Sequence, residues 1–397
     1  MDQLERKLFA TSEEISQELI ELRREIHKNP ELELDCYETS KLLLEKLKGL
    51  NLDIKHGIAN TGITALLKGK KKKPVLAIRA DIDALPIEEE TGLPFASQNK
   101  GKMHACGHDG HATLVYGAAK ILSEHRDLLE GSIKFIFQPG EEYPGGAKIM
   151  IEEGVLENPK VDALISGHIF PGIKNGKIGI RYGALTARND EFTIDIMGEG
   201  GHGAHPDSTQ DTIVTSSLFI VELQTIVSRI TDPVKPLVIN VGEISGGGGH
   251  NVVPKKITLK GTIRSIDKKT RDIAIEKIEK LLEGLKMSYN IKYNFELVPG
   301  EPPLYCDENL TKNTENILMK ILQDKDLVKI DEPSLGSDDC AFFSERIPVV
   351  YIRYGSFDEK KGYTNDLHTP SFDFDENLLL KTSKILSYLS INLLKKI

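Results

Sequence analysis

Short apolar stretches that alternate with helical patterns, over residues 62–167, are the feature that most restricts the fold. The stretches of strand character are "GITALL", "PVLAIRA", "SIKFIFQ" and "VDALISG". Between them lie "HATLVYGAAKILSEH" and "GGAKIMIEEGV", which have the pattern of helices. Because short Gly/Pro turns join the segments, the sequence predicts an α/β fold in which helices flank a mixed sheet.

A capping box, Thr11 followed by Glu14, marks the start of an earlier helix. Apolar residues then recur at helical spacing, at Ile15, Leu19, Leu22 and Ile26. We therefore expect an amphipathic helix that ends near His27.

The pattern changes after about Gly183. Segments then follow in the order βαββαβ, from "EFTIDIM" to "IKYNFELV", which is typical of a ferredoxin-like unit. The helix–strand alternation resumes from about Cys306 with "NLTKNTENILMKIL" and "IPVVYIRY". The sequence therefore predicts a discontinuous α/β domain, 1–185 and 299–397, interrupted by an inserted α+β lobe at 186–298.

Composition excludes several classes of partner. A formal net charge of −9 argues against binding to nucleic acid or to an anionic membrane. No apolar run is expected to reach the length of a membrane span, and "MDQLERKLFATSEE" lacks the apolar core of a signal peptide. The four cysteines are far apart and form no C-x-x-C pair. We therefore expect a cytoplasmic protein with reduced thiols.

Metal-binding side chains recur where predicted strands end. The motifs are "RADIDALP", "MHACGHDGH", "FQPGEEYPGG", "SGHIFP" and "DLHTPSF". Cys, His and Glu are ligands of first-row metals, although each motif alone also fits a structural role. Adjacent Glu141 and Glu142 cannot aim both carboxylates at one point. One of them is therefore a candidate ligand, and the other is a candidate general base.

Two glycine-rich stretches, "GEGGHGAHP" and "SGGGGHNVVP", invite comparison with a phosphate-binding loop. Neither is followed by Lys-Ser/Thr, and Pro206 and Pro254 come too early for a helix that binds phosphate. A plain turn and a close approach of the backbone to a small ligand both remain open.

Taken together, these motifs resemble the dinuclear metallopeptidase/amidohydrolase family. "GSDDCAFF" and "LHTP" complete the set, in the family's order and over nearly the whole chain. Within the family, the chain is most similar to the branch of hippurate hydrolases, N-acetyl-diaminopimelate deacetylases and auxin-conjugate hydrolases.

The resemblance implies five ligands for two divalent metals: Cys106, His108, Glu142, His168 and His368. Cys106 would bridge the two metals, where other branches use an aspartate. Those branches also have His-x-Asp at the first strand, where this chain has Arg79-Ala80-Asp81. His108 would replace the lost ligand, and Asp81 would orient a ligand from behind it. Glu141 matches the general base of the family.

The inserted lobe corresponds to the family's satellite domain, which implies a homodimer, with a tetramer also compatible. His202 matches a histidine that polarises the scissile carbonyl, and Asn251 and Arg264 match residues that hold the substrate's carboxylate. The chain departs from the family's Gly-x-Glu-Asp motif, because it has Asp338 in the glutamate position.

The resemblance implies a two-metal amidohydrolase that cleaves N-acetyl- or N-benzoyl-amino acids. Mn²⁺ or Zn²⁺ would suit the ligands, and Ni²⁺ or Co²⁺ are also compatible. The alternatives are an N-acetyl-diaminopimelate deacetylase, a dipeptidase or carboxypeptidase of the same family, and a catalytically silent metal-binding relative.

Overall fold

A computed structural model of the chain describes Leu8 and residues 13–397. Two compact units are present. The first runs to Gly183 and continues through Tyr305–Glu332 and Asp338–Ile397. The second comprises Ala184–Leu304 and Pro333–Ser337. The lobe predicted at 186–298 does not include the short return segment, which has neither a helical nor a strand pattern.

Sixteen strands are present in the described residues. In chain order, β1 to β16 are Asp53–Ile58, Gly62–Lys68, Val75–Asp81, Ser132–Gln138, Ala163–Lys174, Ile178–Ile180, Gly183–Ala184, Arg188–Met197, Gly201–His202, Leu237–Gly246, Val252–Val253, Lys256–Ser265, Lys292–Val298, Tyr305–Cys306, Leu327–Lys329 and Val349–Phe357.

Nine α-helices accompany them in the same residues. In chain order, α1 to α9 are Ser16–Lys28, Tyr37–Lys48, His108–Glu124, Gly146–Glu152, Thr212–Thr225, Lys268–Tyr289, Glu308–Leu318, Ala341–Ser344 and Asn377–Leu393. Single 3-10 turns occur at Glu13–Ile15, Arg126–Leu128, Pro206–Ser208 and Asp324–Asp326, and a π-helical turn, Ile226–Ile230, extends α5.

The first unit is organised around an eight-stranded sheet in the order β1-β2-β4-β3-β5-β16-β6-β15. Its centre, β4-β3-β5-β16, is parallel, and β1 and β2 add an antiparallel edge. Strands β3 and β4 are buried along their whole length, as expected where both faces are covered. Helices α1, α3 and α9 contribute to one apolar core with the sheet. The predicted α/β class, with a mixed sheet flanked by helices, is confirmed.

This topology brings the polar motifs together. Strands β3, β4 and β5 are parallel neighbours, so their carboxyl ends meet at one edge of the sheet. The loop with Glu141 and Glu142 follows β4, and His168 lies within β5.

The second unit has a four-stranded antiparallel sheet in the order β10-β12-β8-β13. Helices α5 and α6 pack against it and bury Phe219 and Leu223 of α5 and Ile278 and Leu282 of α6. Along the chain, the elements of this sheet and its two helices follow one another as βαββαβ.

One helical segment, Thr212–Ile230, is long and apolar enough to cross a membrane by length and composition alone. The expectation that no apolar run reaches this length was therefore wrong. Some of these apolar residues belong to the core of the second unit, where Phe219, Leu223 and Ile226 are buried. Other apolar residues, Ile213 and Val221 among them, are exposed.

The first predicted helix is present as α1, with Leu19, Leu22 and Ile26 buried, and it ends at Lys28. It begins at Ser16 after a 3-10 turn, and its N-cap Ile15 provides no side-chain cap. Thr11, the first residue of the predicted capping box, lies outside the described residues.

Candidate metal centre

Cys106 and His108 lie where α3 begins. Gly107 between them is the N-cap and has φ +80°, a conformation that glycine adopts without steric cost. Donor atoms of Cys106 and His108 then group with His168 of β5, and all three residues are buried.

Glu142 and His368 approach the same cysteine from two loops. Glu142 follows β4, and its backbone N–H donates to Asp83 Oδ2 at 3.1 Å. His368 precedes α9 with φ +61°, and its backbone N–H donates to Ala105 O at 2.9 Å. The Glu142 loop is thereby bound to Asp83 of "RADIDALP", and the His368 loop to Ala105 of "MHACGHDGH".

The donor atoms converge on the sulfur of Cys106. His168 Nε2 and His368 Nε2 each lie 3.2 Å from Cys106 Sγ. Glu142 Oε1 lies 3.2 Å from His368 Nε2 and 4.0 Å from His108 Nε2. Ligands bound to one tetrahedral cation at 2.0–2.3 Å are roughly 3.3–3.8 Å apart. The three separations of 3.2 Å lie just below this range and the fourth, 4.0 Å, just above it, so small shifts of the side chains would allow shared coordination.

Two ligand groups share the same thiol. One contains Cys106, His108 and His168, and the other contains Cys106, Glu142 and His368. Burial raises the pKa of the Cys106 thiol well above its usual range. A divalent cation stabilises a buried thiolate. The donor set therefore fits divalent cations, and Cys106 is common to both groups. The assignment of the ligands stays a prediction.

Hydrogen bonds fix the tautomers of two candidate ligands. His108 Nδ1 donates to Asp83 O at 2.9 Å, and His168 Nδ1 donates to Ile169 O at 2.6 Å. A carbonyl oxygen only accepts, so in the neutral imidazoles Nε2 carries the lone pair. Among the described residues, His108 Nε2 has no hydrogen-bond partner. Both rings therefore present a lone pair toward the candidate site.

His111 is close to this site but is not available to a cation. Its Nε2 accepts from the Ile169 N–H at 2.8 Å, and its Nδ1 donates to Asp81 Oδ1 at 2.6 Å. Both ring nitrogens are therefore occupied. His111 instead connects Asp81 to the backbone that orients His168.

Asp81 lies beside His108 and His111. Its role in orienting a ligand stays a prediction. Its Oδ2 accepts from Arg79 Nη1 at 2.7 Å, and its Oδ1 is 3.8 Å from His108 Nε2. Burial would raise the pKa of Asp81, but His108, His111 and Arg79 hold it well below its usual range. Asp81 is therefore a fixed negative charge beside the histidines.

Asp83 was not singled out from the sequence, although it contacts two candidate ligands. Its carbonyl accepts from His108, its Oδ2 accepts from the Glu142 amide, and its Oδ1 is 3.4 Å from His108 Nδ1. In "RADIDALP", Asp81 and Asp83 are two residues apart. In an extended chain that spacing places both on the same side, and this was the available signal.

Glu141 and Glu142 have different surroundings. Burial raises the pKa of Glu141 well above its usual range, with further contributions from Asp338 and Glu142. Burial also acts on Glu142, but the imidazoles of His368 and His108 lower its pKa. Glu142 lies 3.2 Å from His368 Nε2. Glu141 lies 3.9 Å from His108 Nε2 and also has the carboxylates of Asp338 and Asp339 close to it.

The "GSDD" motif now has a structural role. Asp338 accepts from the Tyr351 hydroxyl and, at 2.9 Å, from the Cys340 N–H. Asp339 accepts from Arg79 Nη2 at 2.7 Å and from the Ala147 N–H at 2.8 Å. The motif therefore connects buried Arg79 to the amino end of α4, just after the glutamate loop.

Three further predicted residues lie in the second unit. His202 of β9 pairs with Val252 of β11, and the neighbouring Gly203 N–H donates to Asn251 O at 2.8 Å. His202 is exposed, and its Nδ1 accepts from the Ala204 N–H at 3.1 Å. Elsewhere in this unit, Arg264 Nη1 donates to Leu335 O at 3.0 Å. The roles of His202, Asn251 and Arg264 stay predictions.

A set of thiol, imidazole and carboxylate donors, most of them buried, beside a second carboxylate is typical of a metal-dependent hydrolase. A sequence model of Peptidase family M20/M25/M40 matches residues 77–392. The chain belongs to this family, and the family resemblance drawn from its motifs is confirmed.

Relatives whose names state an activity match nearly the whole chain. N-acetyl-L-cysteine deacetylase of Bacillus subtilis is 38% identical over 373 residues, which cover 94% of this chain and 87% of the relative. Hippurate hydrolase of Campylobacter jejuni is 34% identical over 380 residues, which cover 95% of this chain and 97% of that relative. The chain is accordingly an amidohydrolase of this family.

A solved structure shows the same fold. The Bacillus subtilis YXEP protein, described as a dinuclear metal binding peptidase, superposes with a TM-score of 0.85 at 32% identity. The match covers 97% of this chain and 99% of that protein. Dinuclear metal binding is thus a property of a close structural relative.

Proposed function

We propose that the chain hydrolyses the amide bond of N-acyl amino acids to a carboxylic acid and an amino acid. The observation that carries the proposal is the thiol of Cys106, which belongs to two ligand groups beside Glu141. The names of the relatives, a deacetylase of N-acetyl-L-cysteine and a hippurate hydrolase, support small N-acyl amino acids as the substrate class.

In this proposal, Cys106, His108, Glu142, His168 and His368 hold two divalent cations. Mn²⁺ or Zn²⁺ are the proposed ions, with Ni²⁺ and Co²⁺ also compatible with the donors. When bound, they would supply Lewis-acid polarisation of the amide carbonyl and a lowered pKa for water.

The remaining steps belong to side chains of the protein. Glu141 takes a proton from the attacking water and passes it to the leaving amine. His202 donates a hydrogen bond to the oxygen of the amide as negative charge develops there. Arg264 and Asn251 hold the substrate's carboxylate, for which the planar guanidinium is suited.

We also propose a homodimer through the second unit, with a tetramer as the alternative assembly. Support comes from α5, where Ile213, Val214 and Val221 are exposed at 48%, 48% and 68%. Exposed apolar side chains grouped on one element are typical of a protein–protein interface.

We propose a cytoplasmic location because the cysteines form no disulfide bonds among the described residues. Cys36, Cys106, Cys306 and Cys340 are all free and buried. Free thiols persist most readily in a reducing compartment.

The direct test is hydrolysis of N-acetylmethionine, hippurate, N-acetyl-diaminopimelate and dipeptides by the purified protein. We expect turnover of the first two, loss of activity on chelation, and recovery with Mn²⁺ or Zn²⁺. Preference for dipeptides or for the diaminopimelate derivative would favour the alternative activities. No turnover of any substrate by metal-loaded protein would indicate a catalytically silent relative.

A further inference from the structure

Arg353, on β16, is a buried cation without a protein counter-ion. Only 8% of its surface is exposed, yet in the described part of the chain its guanidinium has neither a hydrogen bond nor an ion pair. Its Cζ lies 4.7 Å from the ring centroid of Phe170 and 5.1 Å from that of Tyr351. By contrast, buried Arg23 and Arg79 each have a carboxylate oxygen at 2.7 Å.

The aromatic rings alone do not balance this charge. The attraction of a cation to aromatic rings is weaker than the cost of removing that ion from water. No carboxylate of the described residues lies within ion-pair distance of Arg353. Asp338 and Asp81, the carboxylates described above, bind other donors: Asp338 accepts from Tyr351 and Cys340, and Asp81 accepts from Arg79 and His111. A counter-charge from outside the chain would complete the environment of Arg353.

The register of the sheet places Arg353 beside the candidate metal centre. Arg353 pairs with His168 on the parallel strand β5, so both side chains project from the same face. On its other side it pairs with Gly179 of β6. A Cβ at Gly179 would lie 3.2 Å from Arg353 Cβ and 2.4 Å from Ile173 Cδ1, so glycine leaves room for the arginine stem.

We propose that Arg353 binds a carboxylate of the substrate other than the α-carboxylate, which makes acidic N-acyl amino acids the favoured substrates. This inference rests on the proposed function. A planar guanidinium pairs with a carboxylate through two parallel hydrogen bonds, and it can do so while it contacts aromatic rings. The carboxylate can belong to the amino-acid side chain or to a dicarboxylic acyl group.

Matched substrates test the inference and distinguish the two sources. N-acetylglutamate is compared with N-acetylglutamine, and N-succinylmethionine with N-acetylmethionine. We expect an acidic substrate to exceed its neutral partner in kcat/KM by about tenfold or more, mainly through KM, because hydrogen bonds to charged groups are stronger than those between neutral groups.

Variants assign the preference to Arg353. Arg353→Met should lower kcat/KM for the acidic substrate to the value for its neutral partner, while metal content stays near wild type. Arg353→Lys should retain part of the preference, because the charge remains. Arg24→Met, which alters an arginine 44% exposed at the side chain and paired with Glu376, is the matched control and should change neither.

The inference is overturned if wild-type protein shows no acidic preference in either pair, or if the preference survives Arg353→Met. Failure of the proposed function gives a different result, namely no hydrolysis of N-acetylmethionine by metal-loaded wild type. Calorimetric titration with succinate and glutarate then tests the anion site alone. Binding by wild type that is weakened in Arg353→Lys and lost in Arg353→Met supports it, and no binding by wild type refutes it.

Discussion

Hydrogen-bond partners at the ring nitrogens decide which histidines near Cys106 can bind a cation. His108 and His168 each donate from Nδ1 to a backbone carbonyl, which leaves Nε2 available. His111 has both nitrogens occupied, by Asp81 and by the Ile169 amide. Three histidines close together in space therefore divide into two candidate ligands and one orienting residue, a division that sequence spacing does not contain.

Replacing His111 tests this division. His111→Asn should bind metal about 10–100-fold more weakly, because it loosens the backbone that orients His168. Chelator-competition titration with Zn²⁺ measures the affinity. His56→Asn, at an exposed position on β1, is the control and should match wild type. Loss of one full equivalent of metal would instead indicate that His111 is itself a ligand.

Glu141 is predicted to act on protons and not to hold metal. Glu141→Gln should lower kcat by about 10²–10⁴-fold while metal content stays unchanged. Turnover of N-acetylmethionine and elemental analysis measure the two quantities. Glu152→Gln, an exposed glutamate on α4, is the control. Near-wild-type turnover by the Glu141 variant would remove the assigned base.

At the scale of elements, the site is built where parallel strands end and α3 begins. The apolar runs and the motifs that follow them predicted this arrangement, because the carboxyl ends of neighbouring parallel strands meet. The role of Gly107 was not predicted. Gly107 lies between Cys106 and His108 at the start of α3 and has φ +80°. Composition alone does not reveal this backbone conformation.

Gly107→Ala should lower the free energy of unfolding by about 1–2 kcal/mol, because an alanine at positive φ is strained. It should also weaken metal binding, since the Cys106–His108 geometry changes. Gly154→Ala is the matched control, with φ +84° and no atom within 4 Å of the new Cβ. It should lose similar stability in urea unfolding but keep its metal affinity. Equal metal affinity in the two variants would contradict the role of Gly107 in positioning Cys106 and His108.

At the scale of the whole molecule, two kinds of feature could not be predicted from the sequence: residues whose neighbours are distant in the chain, and the short segment that returns to the second unit. Asp83 contacts Glu142, and Arg353 lies against Phe170, so the surroundings of both depend on residues distant in the chain and neither stands out in a linear motif. The return segment Pro333–Ser337 joins the second unit without any helical or strand pattern. By contrast, the alternation of elements and the change of pattern near Gly183 were visible, because each depends on local periodicity.

The proposed assembly also belongs to this scale. Val221→Asp, on the exposed apolar side of α5, should convert a dimer into a monomer, because it would place an unpaired charge in the interface. Gel filtration with light scattering measures the mass. Met319→Asp, exposed at 44% in the first unit, should leave the mass unchanged. A dimer that persists in the Val221 variant would exclude this face.

The central claim is that one thiol serves two cations, and metal content tests it most directly. Wild-type protein loaded with Zn²⁺ or Mn²⁺ should hold two equivalents per chain after gel filtration, measured by elemental analysis. Cys106→Ala should hold fewer, because the shared ligand of both groups is lost, while circular dichroism stays as in wild type. Two full equivalents in Cys106→Ala would contradict the account.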